Sequence, residues 1–123
     1  MNEENLAKKV ERLEYYISLL RDICLDPEAY VLWDFIMAEG LDEDQAHQMI
    51  LVFRKYSKIL QDVNEKEDLA HYWSEMTKDL TPLFETFNWR TDQHGIYRVL
   101  LRASKLPEWY TLKKLVQYVE NTK

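Results

Sequence analysis

The chain has 123 residues, of which 46% are hydrophobic and 31% are charged, with two glycines, three prolines and one cysteine. This length predicts one domain whose core needs no disulfide or metal for stability. The low glycine and proline content argues against disorder and favours helices. No apolar run approaches the roughly 20 residues that span a bilayer, and no secretory signal opens the sequence. We therefore expect a cytoplasmic protein without a membrane partner.

The net charge of −6 is unevenly distributed along the chain. Residues 1–89 carry 9 basic and 19 acidic groups, whereas residues 90–123 carry 7 basic and 3 acidic groups. Such a division predicts either that the basic last third docks on the acidic body or that it binds an acidic partner.

The first predicted helix, within residues 3–25, has apolar residues at alternating steps of four and three. They are Leu6, Val10, Leu13, Ile17, Leu20 and Cys24. With the leucines at d positions and the others at a positions, this heptad pattern favours a two-stranded coiled coil. We predict a homo-oligomer interface formed by Leu6, Val10, Leu13, Ile17 and Leu20.

The residues beside this heptad pattern leave the helix orientation open. Lys9 with Glu14, and Tyr16 with Arg21, would pair across a parallel dimer, while Glu14 with Arg21 would pair across an antiparallel one. Alternatively, the helix packs on its own domain, because a and d periodicity also occurs within bundles. Our preferred interpretation is mixed: the first three turns contact another subunit and the last three dock on the helix's own domain.

The second predicted helix has Asp26 as its N-cap and Pro27 at its first position, and it ends at Glu39 before Gly40. Apolar residues surround it on nearly all sides, which predicts the buried central helix of the fold. A capping box at residues 42–45 opens the third helix. Its apolar stripe, which has the spacing to pair with that of the first helix, is Ala46, Met49, Phe53, Tyr56, Leu60 and Val63.

A polar loop is predicted over residues 64–68, followed by a fourth helix in which Thr81-Pro82 either kinks the chain or starts a new helix. Thr91 or Asp92 caps a fifth helix, and Pro107 opens the last one. The alternating pattern of a strand is absent from the sequence. We predict an all-α, single-domain bundle of about five or six helices over residues 1–123, with residues 3–25 as the oligomerisation helix.

Two segments, Arg12-Leu13-Glu14-Tyr15-Tyr16 and residues 36–44, resemble a small bacterial family of all-helical proteins of unknown function, the YhaI-like family. The resemblance covers about the first half of the chain, and the last third is only loosely similar. It implies an all-helical fold and assigns no functional residue.

No motif in the sequence supports an enzyme, and we predict no catalytic, cofactor-binding or metal-binding residues. The pairs Asp44 with His47 and Asp68 with His71 have the spacing of helical di-metal ligands, but they lie opposite the apolar stripes of their helices. Cys24 is best explained as a small apolar residue of the heptad pattern.

The last two helices form a hairpin with one basic side, whose residues are Arg98, Arg102, Lys105, Lys113 and Lys114. Such a hairpin resembles a DNA-binding helix-turn-helix, although an acidic chain with a pI near 5.1 is unusual for that function. Trp89, Leu51 and Leu101 lie where burial is not expected, so they are further candidates for a protein-partner surface. We interpret the protein as a self-associating interaction or assembly module, with nucleic-acid binding through the basic hairpin as the alternative.

Overall fold

The computed structural model describes residues 5–122, which contain six α-helices and two 3₁₀ segments and no strand. The α-helices are α1 (Leu6–Leu25), α2 (Val31–Ala38), α3 (Glu43–Ile59), α4 (Lys66–Glu85), α5 (Gln93–Ala103) and α6 (Lys113–Asn121). The 3₁₀ segments are Leu60–Asp62 and Pro107–Leu112. The predicted all-α bundle is confirmed. Among the described helices, none is long and apolar enough to cross a membrane.

The helix after α1 is shorter than predicted. Asp26 does cap a turn, since its carboxylate accepts a hydrogen bond from the Ala29 amide at 3.2 Å, but residues 27–30 form turns and α2 begins only at Val31. At its other end the prediction is confirmed. Gly40 has φ +71°, and the Leu41 amide donates to the Ile36 carbonyl at 3.0 Å, as expected for a helix end that needs glycine.

The third helix is placed by its cap. The Asp42 carboxylate accepts a hydrogen bond from the Gln45 amide at 2.8 Å, and the Gln45 side chain accepts one from the Asp42 amide at 3.0 Å. The predicted stripe is buried from Ala46 to Leu60. However, α3 packs on α4 and on the 3₁₀ segment Pro107–Leu112, whereas α1 packs on α2. The expected pairing of the first and third apolar stripes is therefore wrong.

Prolines and a capping residue determine where the helices of the second half of the chain begin and continue. Helix α4 continues through Pro82 without a new start, and Asp92 rather than Thr91 caps α5 by accepting from the Gly95 amide at 2.8 Å. Pro107 opens a 3₁₀ segment with a kink at Trp109, not the α-helix that we predicted. As a result, α6 starts six residues later.

The sequence suggested a core centred on the second helix. In the structure, the core is instead shared among several helices. Helix α2 has only two turns and packs between α1 and α5, and three of its side chains are buried. Helix α5 buries six residues. Fully buried aromatic and aliphatic side chains from α3, α4 and α5 meet in one cluster; among them are Phe53, Met76, Phe84, Ile96 and Leu100.

Candidate functional site

The heptad residues of α1 form an exposed apolar stripe, named here the α1 stripe. Their exposed fractions are 76% for Leu6, 45% for Val10, 57% for Leu13, 59% for Ile17 and 46% for Leu20. Cys24, one turn further on, is also exposed. At a rise of 1.5 Å per residue the stripe is about 27 Å long. Residues 3 and 4 of the predicted oligomerisation helix lie outside the described residues.

A different side of α1 contacts the domain. Leu19 is buried, and Tyr15, Tyr16 and Ile23 are half-buried. At about 100° per residue, the centre of this side lies roughly 125° around the helix from the centre of the α1 stripe. The last turns of α1 therefore do dock on the domain, as predicted, but Ile17 and Leu20 take no part in it and stay exposed.

Two hydrogen bonds between side chains and distant groups hold α1 in place. The Tyr16 hydroxyl donates to the Leu41 carbonyl at 2.7 Å, and the Trp33 indole donates to the Asp22 carboxylate at 2.8 Å. These contacts join α1 to both ends of the α2 region. They fix the rotation of α1 about its axis, and hence the direction in which the α1 stripe faces.

Unlike the Tyr16 hydroxyl, the hydroxyl of the neighbouring Tyr15 does not help to hold α1 in place. Its hydroxyl is buried without a hydrogen-bond partner among residues 5–122, and its ring packs edge-on against His47 at 5.8 Å between ring centroids. Burial first, and then the Glu43 carboxylate, raise the pKa of Tyr15 to about 12. A buried polar group without a partner costs free energy.

We therefore expect the same substitution at these two adjacent tyrosines to have opposite effects. Tyr16→Phe should lower the free energy of unfolding by about 1 kcal/mol, because the Leu41 carbonyl loses its donor, while Tyr15→Phe should raise it by up to about 1 kcal/mol. Urea unfolding followed by circular dichroism measures both. Equal losses in the two variants would contradict the contacts described for α1.

The residues beside the α1 stripe are unequally available for pairing with another chain. Lys9, Glu14 and Arg21 are exposed. Tyr16, by contrast, is bound to the Leu41 carbonyl. The predicted stacking of Tyr16 on Arg21 of a second copy therefore competes with a contact inside the domain.

The structure separates the five predicted basic residues into two regions. Arg98, Arg102 and Lys105 surround a shallow depression on α5. The Lys114 ammonium instead donates to the carbonyls of Leu60 at 2.7 Å and Val63 at 2.9 Å, which lie at the start and just after the end of the 3₁₀ segment that follows α3.

Lys113 is exposed, and its side chain makes no hydrogen bond or ion pair within residues 5–122. Lys114 lines a second depression that shares no residue with the one on α5. Lys114 is therefore committed to backbone carbonyls, while binding of an acidic partner or nucleic acid by the five basic residues stays a prediction.

The histidine pairs considered as metal ligands are not brought together. The His47 Nε2 atom lies 3.7 Å from a carboxylate oxygen of Glu43, and the His71 Nε2 atom lies 4.0 Å from a carboxylate oxygen of Glu75. In each pair the two residues are one turn apart on the same helix. Within the described part of the chain, no three histidine, cysteine or acidic side chains form a group suited to a metal ion.

Trp89, which the sequence left as a candidate for a partner surface, is half-buried and held by contacts inside the domain. Its indole donates to the Gly95 carbonyl at 2.9 Å, and its ring meets Phe35 edge-on at 4.9 Å. Leu51 is exposed, and Leu101 is half-buried in the depression on α5. The sequence did not indicate that Gly95 would accept this hydrogen bond from Trp89, because the contact depends on how closely the loop before α5 approaches the helix.

No family model, curated protein or solved structure matches the chain. The resemblance to the YhaI-like family remains a prediction from the two segments of sequence described above.

Proposed function

We propose that the protein is a self-associating assembly module in which α1 pairs with α1 of a second copy. The observation that carries this proposal is the α1 stripe, because five large apolar side chains lie exposed in one line along a helix that its own domain holds from another side. Scattered exposed apolar residues are ordinary on protein surfaces, but a contiguous line of them is typical of an interface.

A second copy of the chain suits the α1 stripe better than an unrelated partner does. The a and d spacing is self-complementary, because each side chain fits between four residues of an identical helix. The stripe is also narrow, with exposed charged residues such as Lys9 and Glu14 at its edges. Charged edges beside an a and d line are the usual arrangement at a helix pair.

Parallel pairing uses the whole α1 stripe. It stacks each of the six heptad residues on its own copy and places Lys9 opposite Glu14 of the second copy. Antiparallel pairing over the same length would bring the two Glu14 carboxylates together. The antiparallel register that pairs Glu14 with Arg21 would leave Leu6 and Val10 beyond the paired length. Charge and coverage therefore both favour the parallel dimer.

The expected affinity is modest. The six heptad residues span about three heptads, near the lower limit for a coiled coil. We expect a dimer with a Kd on the order of micromolar.

The decisive experiment is analytical ultracentrifugation of the full chain and of the double variant Leu13→Glu with Ile17→Glu. Both positions are exposed, so the variant should keep its helical circular dichroism and its unfolding curve, while four charges at the interface should weaken dimerisation by at least about tenfold. The matched control is Leu51→Glu with Tyr110→Glu, which adds the same charge at exposed apolar positions outside α1.

We expect the control to dimerise as the original chain does. A monomeric original chain at concentrations up to about 1 mM would refute the proposal. So would equal weakening by the control, since it would assign the effect to net charge and not to the α1 stripe.

Cys24 reports the orientation of the helices. Parallel pairing places two Cys24 side chains in one layer, within the Cα separation of about 4.4–6.8 Å that a disulfide needs, whereas antiparallel pairing places them far apart. We expect mild oxidation to give a cross-linked dimer of the original chain and little of it in the Leu13→Glu with Ile17→Glu variant, which retains Cys24. Absence of the cross-link in a chain that sediments as a dimer would contradict the parallel arrangement.

A further inference from the structure

The depression on α5 combines an apolar floor with positive charge. Its floor is formed by Val31, the first residue of α2, and by Leu101 of α5. Arg98, Arg102 and Lys105 surround this floor. We propose that it binds a short acidic segment of a partner protein, with one apolar side chain of that segment on Val31 and Leu101 and its carboxylates on the three basic residues.

Arg102 is held in place before any ligand binds. Its guanidinium lies over the Phe35 ring, 5.3 Å from the centroid, and donates to the Arg98 carbonyl at 3.0 Å. Burial and the neighbouring Arg98 lower the pKa of Arg102. A fixed guanidinium loses little side-chain entropy when it binds a carboxylate, and its planar group suits two hydrogen bonds to one carboxylate.

The other two basic residues are available to a ligand. Arg98 and Lys105 are exposed and make no ion pair within the described part of the chain. Because Arg98, Arg102 and Lys105 line one depression, on α5 and the turn that follows it, they repel each other until an anion binds. Val31 adds the positive end of the α2 dipole to the same place.

The chemistry of the depression favours a short acidic peptide over nucleic acid. Asp34 on α2 and Glu39, just after α2, act electrostatically on Arg102, and the whole chain carries a net charge of −6. Both repel polyanions in general, and they repel the dense, continuous charge of a phosphate backbone more strongly than the few carboxylates of a short peptide. The apolar floor matches an aliphatic side chain, which phosphate backbones do not offer. This site is on α5 and α2, so it does not depend on dimerisation through α1.

Nuclear magnetic resonance of the full chain, labelled with ¹⁵N, tests the proposal with three probes. The first is a short capped peptide of alternating glutamate and leucine, the second is the same peptide with serine for each leucine, and the third is a short DNA duplex. We expect the glutamate and leucine peptide to shift the amide signals of Val31 and Leu101, and the serine peptide to bind at least about tenfold more weakly.

The test variant is Arg98→Glu with Lys105→Glu, which leaves the anchored Arg102 unchanged. The matched control is Lys58→Glu with Lys113→Glu, which makes the same change in net charge at exposed lysines outside the depression. We expect the test variant to bind the glutamate and leucine peptide at least about tenfold more weakly, and the control to change the affinity by less than about threefold.

Three results would overturn the proposal. Equal binding of the serine peptide would mean that the apolar floor takes no part. Equal weakening by the control would mean that only net charge matters. Tighter binding of the DNA duplex with shifts at the same amides would assign the depression to nucleic acid.

Discussion

Gly95→Ala is expected to lower the free energy of unfolding by about 3 kcal/mol, the largest loss that we expect from any single methyl group. A Cβ at this position would lie 2.5 Å from both the Cβ and the carbonyl oxygen of Arg90. The loop cannot move away freely, since the Gly95 amide donates to Asp92 and its carbonyl accepts from Trp89. Alanine normally stabilises a helix by about 1 kcal/mol relative to glycine, so the steric term must exceed that gain.

Urea unfolding measures this effect, with Gly40→Ala as the matched control. A Cβ at Gly40 would meet no atom within 4 Å, and only the positive φ of +71° opposes it. We expect the control to lose about 1 kcal/mol. A Gly95→Ala variant as stable as the original chain would mean that the loop before α5 adapts to the added methyl group.

Lys114→Met is expected to lower the free energy of unfolding by about 2 kcal/mol, because its ammonium donates to the carbonyls of Leu60 and Val63, just after α3. The Leu60 carbonyl also accepts from the Val63 amide at 3.2 Å, so the ammonium is its second, charged partner, and the negative end of the α3 dipole adds to the attraction. Methionine keeps most of the aliphatic part of the lysine side chain, so the loss in free energy of unfolding measures the contribution of the ammonium group.

The control is Lys113→Met, which removes the neighbouring exposed charge. We expect it to change stability by less than about 0.5 kcal/mol. Equal effects of the two substitutions would show that Lys114 is an ordinary surface lysine. If the prediction holds, a loss of nucleic-acid binding in any variant of Lys114 would report instability and not a lost phosphate contact. Tests of that alternative should therefore leave Lys114 intact.

The parts of the fold that the sequence predicted correctly depend on nearby residues. The Asp42 and Gln45 capping box, the Asp92 cap and the left-handed Gly40 each involve groups within a few positions of each other. Periodicity likewise placed the buried stripe of α3, because one helix side repeats every three or four residues.

The parts that were missed depend on contacts between distant segments. Lys114 is 54 residues from Leu60, and on α6 it looks like any other basic surface residue. The close approach of Arg90 to Gly95 depends on the loop path that Trp89 fixes. Pattern alone also could not show which side of α1 contacts the domain, since Tyr15, Tyr16 and Leu19 are large side chains that can be buried, like the heptad residues beside them.

Because the domain holds α1 from one side, two copies can meet as rigid bodies, without either of them first unfolding or releasing a helix. Association of that kind proceeds at about 10⁵–10⁷ M⁻¹s⁻¹. Combined with a Kd on the order of micromolar, such a rate implies that subunits separate and recombine within about seconds. The proposed dimer would therefore re-equilibrate within seconds of a change in the protein's concentration.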